Sequence, residues 1–245
     1  MNHIYRLCWN RSSGQWVPAS ELASRAAPFL ALRKRAVGHR ALMLSVFAAS
    51  LCAAGMAYAG TGAVGGQITS GSGQIQQVGN TTTIRQDSST LTLNWQSFNI
   101  APNQSVDFLQ PSSSAIAVNR IFSSTSSEIY GHLDANGQVW LINPNGILFG
   151  QRAQVNVGGL VASTLDLDNS TLTSNNRSFS GSGKGSVINE GTIITANGGY
   201  AALIGNQVSN RGLINAQLGT VALGGGSAVT LTFSNNQLVH LQVNE

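Results

Sequence analysis

Apolar residues in this chain recur at every second position rather than every third or fourth. Leu91, Leu93 and Trp95 alternate with Thr92 and Asn94, and Ile116 alternates with Val118. Val229, Leu231 and Phe233 alternate with Thr230 and Thr232, and Val239, Leu241 and Val243 repeat the pattern near the end. A period of two predicts strands with one buried face, and nothing after Gly60 holds a 3.6-residue period long enough for a helix. Asn136-Gly137, Asn145-Gly146, Asn197-Gly198-Gly199 and Gly224-Gly225-Gly226 punctuate these runs as turns. The pattern predicts an all-β region built of many short strands.

Repetition then separates a solenoid from a sandwich. Asn189-Glu190-Gly191 and Asn210-Arg211-Gly212 open two matching stretches, GTIITANGGYAALIG and GLINAQLGTVALGG, which align with a one-residue gap. After the gap Ala196, Gly199, Ala202, Leu203 and Gly205 stand opposite Ala216, Gly219, Ala222, Leu223 and Gly225. The stretch that begins at Asn145, NGILFGQRAQVNVGGLVAS, has the same texture. Each coil of a parallel β-helix buries its inward row only against its neighbours, so about 20 residues per repeat with small residues at the corners fits that fold. A sandwich would show the same alternation without the repeat. The stretch from Thr61 to about Asp107 repeats less clearly and is assigned as the N-terminal cap.

Before Gly60 the chain reads as an address. Arg33, Lys34, Arg35 and Arg40 precede an apolar run from Ala41 to Ala54, the length of a signal-peptide core and too short to cross a bilayer. Ala57, Tyr58 and Ala59 give a small-x-small cleavage signal that places the mature start at Gly60. An uncleaved buried helix is the plainer alternative. Residues 1–59 are thus expected to be a cleaved leader and 60–245 the working domain.

That boundary changes the meaning of the formal charge of +4. The leader holds seven basic residues and one acidic, Glu21, whereas the remainder holds six basic against eight acidic. A slightly acidic mature region with scattered cations lacks the basic patch that nucleic acid requires. Cys8 and Cys52 both lie in the leader, so no disulfide, thiol nucleophile or thiolate metal site is expected after it.

Candidate chemistry is thin. Asn143-Pro144-Asn145-Gly146 lies between Val139–Ile142 and Ile147–Phe149 and has the residue order of a type I turn. Gly181 to Ser186 has a phosphate-loop look, but Gly185 rather than Ser or Thr follows Lys184 and a strand-like Val187-Ile188 comes next, so it reads as a flexible loop. His132 beside Asp134 reads as a solvated loop histidine. Asp166 and Asp168 share a strand face yet lack the further oxygen ligands of a calcium site. The Asn-x-Ser/Thr sequons at Asn80, Asn103, Asn169 and Asn176 are expected by chance in so Asn- and Ser-rich a chain. No catalytic group, cofactor site or metal site is expected, and the chain reads as a non-enzyme.

Two stretches resemble one family, the two-partner secretion exoproteins, which include filamentous haemagglutinin-like adhesins, haemolysins and contact-dependent inhibition proteins. Met1 to Arg6, Trp9-Asn10, Gly14, Trp16-Val17-Pro18 and Ser20-Glu21 are similar to their extended signal peptide. Trp95, Phe98-Asn99-Ile100, Phe108, Val118-Asn119-Arg120-Ile121, Gly131, Gly137, Leu141 to Ile147 and Gly159 to Ser163 are similar to the haemagglutination-activity or secretion domain. A second motif of many members, Asn-Pro-Asn-Leu, is absent, with Pro102-Asn103 its nearest trace.

The resemblance implies a right-handed parallel β-helix with an N-terminal cap. It implies export by the Sec machinery through the periplasm to the cell surface or medium, after recognition by the periplasmic POTRA domains and barrel of an outer-membrane transporter. Asn143, Pro144, Asn145, Gly146 and Ile147 are the candidate recognition or folding motif, and Ala57, Ala59 and Gly60 the candidate cleavage site. Contacts with host or bacterial cell surfaces would belong to a region beyond Glu245, so the chain is expected to be a fragment, a truncated product or a stand-alone secretion domain. The rival readings are a free-standing β-solenoid adhesin, which would bind a receptor unaided, and a lyase-like β-helix enzyme, which would need carboxylates and cations clustered on one face.

Overall fold

The computed structural model describes residues 6–10, 15–19 and 62–244. The chain divides into two units, Met1–Ala53 and Ala54–Glu245. In the first, strand Arg6–Asn10 pairs antiparallel with Gln15–Ala19, Trp9 opposite Trp16. Ala57, Ala59 and Gly60 lie outside the described residues.

The second unit is a parallel β-solenoid wound over three faces. The first face stacks Thr90–Trp95, Ile116–Ile121, Gln138–Ile142, residues 159–163, residues 200–205 and Thr220–Gly225 in parallel register. The second stacks Thr81–Gln86, Ser105–Leu109, His132–Ala135, residues 154–157, residues 192–195 and Leu213–Asn215. The third stacks Ser127–Ile129, Ile147–Phe149, Ser186–Asn189 and Gln207–Asn210, with Ile100 bridged to Ile129.

The internal repeat sets this register. Ala202, Leu203 and Gly205 lie opposite Ala222, Leu223 and Gly225, and Asn189 lies opposite Asn210, the pairs that the sequence alignment matched. Inward positions alternate with outward ones, so Leu91, Ala117, Val139, Leu160 and Ala201 form one fully buried row. Glycine makes the tight corner possible between the second and first faces. A Cβ on Gly158 would lie 2.7 Å from the Gly137 carbonyl oxygen, and one on Gly199 2.2 Å from that of Gly158.

The cap is shorter than the sequence suggests. Only Gly62 to Val78 departs from coil geometry, and it does so on every face: Gln67–Ser70, Gly73–Val78 and Ala63–Val64 all pair antiparallel to the first coil. From Thr81 the chain is already in parallel register with Ser105–Leu109. The strands at this end are polar and mostly exposed, which is one way natural sheets blunt an open edge.

A second core lies outside the coils. The outward row of the first face is also apolar, with Val118, Trp140, Val161, Tyr200 and Ile204 buried. A four-stranded antiparallel sheet covers it, in the order Asp166–Leu167, Asn176–Ser180, Ala228–Ser234, Gln237–Asn244. Strand Gln138–Ile142 is therefore buried at every residue. The alternating Val229, Leu231 and Phe233 are a strand of this cover and not of a coil. A register shift after Thr232 corrects the last expected alternation: Leu238 and Leu241 pack inward, while Val239 and Val243 are exposed.

Candidate functional site at the Asn-Pro-Asn-Gly-Ile corner

Asn143 to Ile147 turns the chain from the first face to the third. The Gly146 N–H donates to the Asn143 carbonyl at 3.0 Å, and the Asn145 N–H donates to the Asn143 Oδ1 at 3.0 Å. Gly146 has φ of 116°, a conformation that a Cβ disfavours. Asn143 is wholly buried, whereas Pro144 and Asn145 face solvent.

The corner is bolted to the coil before it through side-chain amides. Asn143 Nδ2 donates to the Thr125 carbonyl at 3.1 Å and to Ser127 Oγ at 3.0 Å. Asn145 Nδ2 donates to the Ser123 carbonyl at 2.7 Å. Three of the four hydrogen bonds available to the Asn143 amide are thus made, which is what burial of an amide requires.

Above the corner runs the stretch that resembled a phosphate loop. Gly185 N–H donates to the Pro144 carbonyl at 3.3 Å, and a Cβ on Gly185 would lie 2.4 Å from the Gly146 nitrogen. A Cβ on Gly183 would lie 2.8 Å from the Pro144 oxygen, and Asn206 Nδ2 donates to the Gly183 carbonyl. Gly183 and Gly185 are explained by close packing on the turn, a reading that sequence-local reasoning did not reach. Pro102-Asn103 occupies a different corner, between the third and second faces, closed by Gln104 N–H to the Ala101 carbonyl at 2.8 Å.

The remaining candidate residues are scattered. Asp166 pairs with Arg120, whose guanidinium also donates to the Leu167 carbonyl at 2.9 Å and Asn169 Oδ1 at 2.8 Å, so it ties the outer sheet to a coil. Asp168 caps the short 3-10 helix Asn169–Thr171, and hydrogen bonds from the Ser170 hydroxyl and N–H hold its carboxyl below the usual range. His132 is exposed, and Asp134 accepts from Asn156 Nδ2 at 2.9 Å. Asp134 also lies opposite Asp107, whose carboxyl is pushed up by burial and by that neighbouring charge. Among the described residues no three His, Cys, Asp or Glu side chains gather as a metal site would need.

Several residues that carried the family resemblance prove to be packing devices. Trp95 Nε1 donates to the buried Asn119 Oδ1 at 2.9 Å and meets Phe98 edge-on at 5.3 Å. Asn99 Oδ1 accepts the Glu128 N–H at 2.8 Å. Sequence reasoning missed Arg177, whose guanidinium lies 4.2 Å from the Phe233 ring centre and 5.0 Å from that of Trp140, with burial lowering its pKa.

These features define a capped parallel β-solenoid with a hydrogen-bonded corner whose tip, Pro144 and Asn145, faces solvent. Residues 59–244 match the family model of the TPS secretion domain, and residues 1–51 match that of the Extended Signal Peptide of Type V secretion system. The chain belongs to the TPS secretion domain family of two-partner secretion exoproteins, which makes it a secretion domain exported through the periplasm to the cell surface or extracellular space. A TPS domain implies a cognate outer-membrane transporter.

The relatives agree. The chain is 35% identical over 182 residues to a heme/hemopexin-binding protein of Haemophilus influenzae, covering 71% of this chain and 20% of the relative. A second protein of that description from the same species is 43% identical over 97 residues, 40% of this chain and 10% of the relative. The chain therefore spans about a fifth or less of the curated relatives it matches. The crystal structure of the HMW1 secretion domain from Haemophilus influenzae superposes with a TM-score of 0.68 at 34% identity, over 75% of this chain and 50% of that one. The filamentous hemagglutinin secretion domain shares the fold, with a TM-score of 0.52 at 15% identity over 75% of this chain and 69% of that one.

Proposed function

We propose that the Sec machinery exports the chain, that cleavage after Ala59 leaves Gly60 as the first mature residue, and that the transporter's periplasmic domains then bind residues 60–245. Asn143 to Ile147 acts as a folding staple within this module. The burial of Asn143, with its amide bonded to the previous coil and its carbonyl closing the turn, carries this reading. A coil that docks through preset hydrogen bonds gives the next coil a template, so folding outside the cell can proceed without an energy source. The chain itself does no catalysis, and the effector activity resides in a downstream region.

Secretion into the medium of a Gram-negative host, with and without the transporter, tests the module. Release should require the transporter; release without it would favour the free-standing adhesin. Asn143→Ala tests the staple, and it should slow refolding of the purified chain while leaving capture of the unfolded chain by the transporter's periplasmic domains unchanged. If Asn143→Ala refolds at the normal rate but is no longer captured, the corner is a recognition site and not a staple.

A further inference from the structure

A cleft separate from the Asn-Pro-Asn-Gly-Ile corner opens where the outer hairpin meets the coil corner. Asn235 and Asn236 have φ of 50° and 64°, the left-handed pair that a two-residue hairpin turn demands. They swing the turn between Ala228–Ser234 and Gln237–Asn244 against Asn197, Gly198 and Gly199. The space enclosed is about 200 Å³, below the roughly 300–1,000 Å³ of drug-sized sites.

The inner wall carries an unused donor. Trp140 Nε1 donates to the Tyr200 hydroxyl at 2.8 Å, and that hydroxyl lies 2.6 Å from Gln138 Oε1. An indole nitrogen can only donate, so the tyrosine proton must point to Gln138, and the atom receiving it must be the amide oxygen. This fixes the orientation of the Gln138 amide. Its Nε2 then has no partner among the described residues, although the residue is only 4% exposed and lines the cleft. The nitrogen itself is not among the fully buried unpartnered atoms, so it opens onto the cleft, where an oxygen held in that space can accept from it.

The outer wall is of the same chemistry. Asn197, Asn235, Asn236 and Gln237 are exposed, and their side-chain amides form no hydrogen bond to other described residues. Apart from Tyr200, no ionisable side chain lines the space. Each amide offers an N–H and a C=O from one plane, which suits neighbouring hydroxyls that both donate and accept. The absence of charge in the lining disfavours phosphate, sulfate or an acidic sugar.

We propose that this cleft binds one neutral sugar residue, with Gln138 Nε2 as its inner anchor and the Asn235-Asn236 turn as its outer wall. The site is separate from the Asn143 to Ile147 corner, since neither Pro144 nor Asn145 lines it.

Saturation-transfer NMR on the exported chain tests it, with the methyl glycosides of glucose, galactose and N-acetylglucosamine as probes and N-acetylneuraminic acid and acetamide as controls. At least one neutral glycoside should show transfer, and the controls should neither show it nor compete. Gln138→Leu should weaken the signal about tenfold, the loss of one hydrogen bond to the ligand. Because that variant disturbs Tyr200, a second one, Asn236→Gly with Asn197→Ala, provides a safer check: glycine accepts the turn geometry and Asn197 is exposed. No transfer from any glycoside, equal transfer in the Asn236→Gly, Asn197→Ala chain, or competition by acetamide would each overturn the proposal.

Discussion

Asn119 sits in the inward row between Leu93 and Leu141, where an aliphatic residue would be the ordinary choice. Its amide is nonetheless well used, accepting from Trp95 and donating to the Ala117 and Trp140 carbonyls at 3.1 and 3.3 Å. Asn119→Leu leaves the Trp95 N–H buried without an acceptor and should lower stability by about 2–3 kcal/mol in urea unfolding. Arg177 is the opposite case, because its Nε and Nη1 are buried without a hydrogen-bond partner while its guanidinium lies over the Trp140 and Phe233 rings. Arg177→Met gives up a cation–π gain but removes idle donors, so its unfolding midpoint should stay within about 1 kcal/mol of the parent. Asp107 makes stability depend on pH in an unusual direction. Its folded pKa lies above the ordinary carboxyl value, because burial and Asp134 disfavour the charged form while His132 only partly offsets them. A raised carboxyl pKa contributes stability at low pH that disappears as pH rises through the folded value. Asp107→Asn should therefore gain stability relative to the parent above that value and show no difference well below it. A parent–variant gap that does not change with pH would refute the assignment.

At the scale of strands and corners, legibility followed locality. The offset of about 20 residues in the repeat gave the register of residues 200–205 on Thr220–Gly225, because solenoid pairing and sequence repetition are the same relation. The Asn143 turn was legible for a similar reason, its residue preferences being satisfied within four positions. The packing of Gly183 and Gly185 on that turn was not, since it joins segments about forty residues apart and leaves no periodic trace. Nor could alternation reveal that Val229, Leu231 and Phe233 cover the coils, because a strand against an outer face alternates like one inside a coil. The Val239 phase failed at a register shift, which period-two reasoning assumes absent. Glycine substitutions separate corner contact from mere glycine richness. Gly199→Ala would push a Cβ to 2.2 Å from the Gly158 oxygen and should destabilise by about 3 kcal/mol or prevent folding. At Gly225 the nearest atom is 3.8 Å away, and Gly225→Ala should be neutral to about 1 kcal/mol stabilising. Thermal melts of both variants check the contrast.

For the molecule as a whole, the two cores share one set of strands, with the inner core closed by coil stacking and the outer one by the antiparallel sheet. Ending the chain at Gly226 removes Ala228–Ser234 and Gln237–Asn244 and uncovers Trp140, Tyr200 and Val161. The coils should persist with their far-ultraviolet strand signal, while hydrophobic dye binding rises and the near-ultraviolet signal of Trp140 weakens. Loss of the far-ultraviolet signal as well would show that the two cores form a single cooperative unit. Burial of Gln138–Ile142 on both faces also places a constraint on timing. Val139-Trp140-Leu141-Ile142 is an uncharged, β-prone run of the kind that self-associates when left bare. Phe233, which stacks on Trp140 at 6.0 Å between ring centres, lies so far along the chain that the two cannot clear a narrow pore together. During that interval the strand is an aggregation hazard, and crowding of emerging chains at the cell surface becomes as important to yield as the stability of the finished fold.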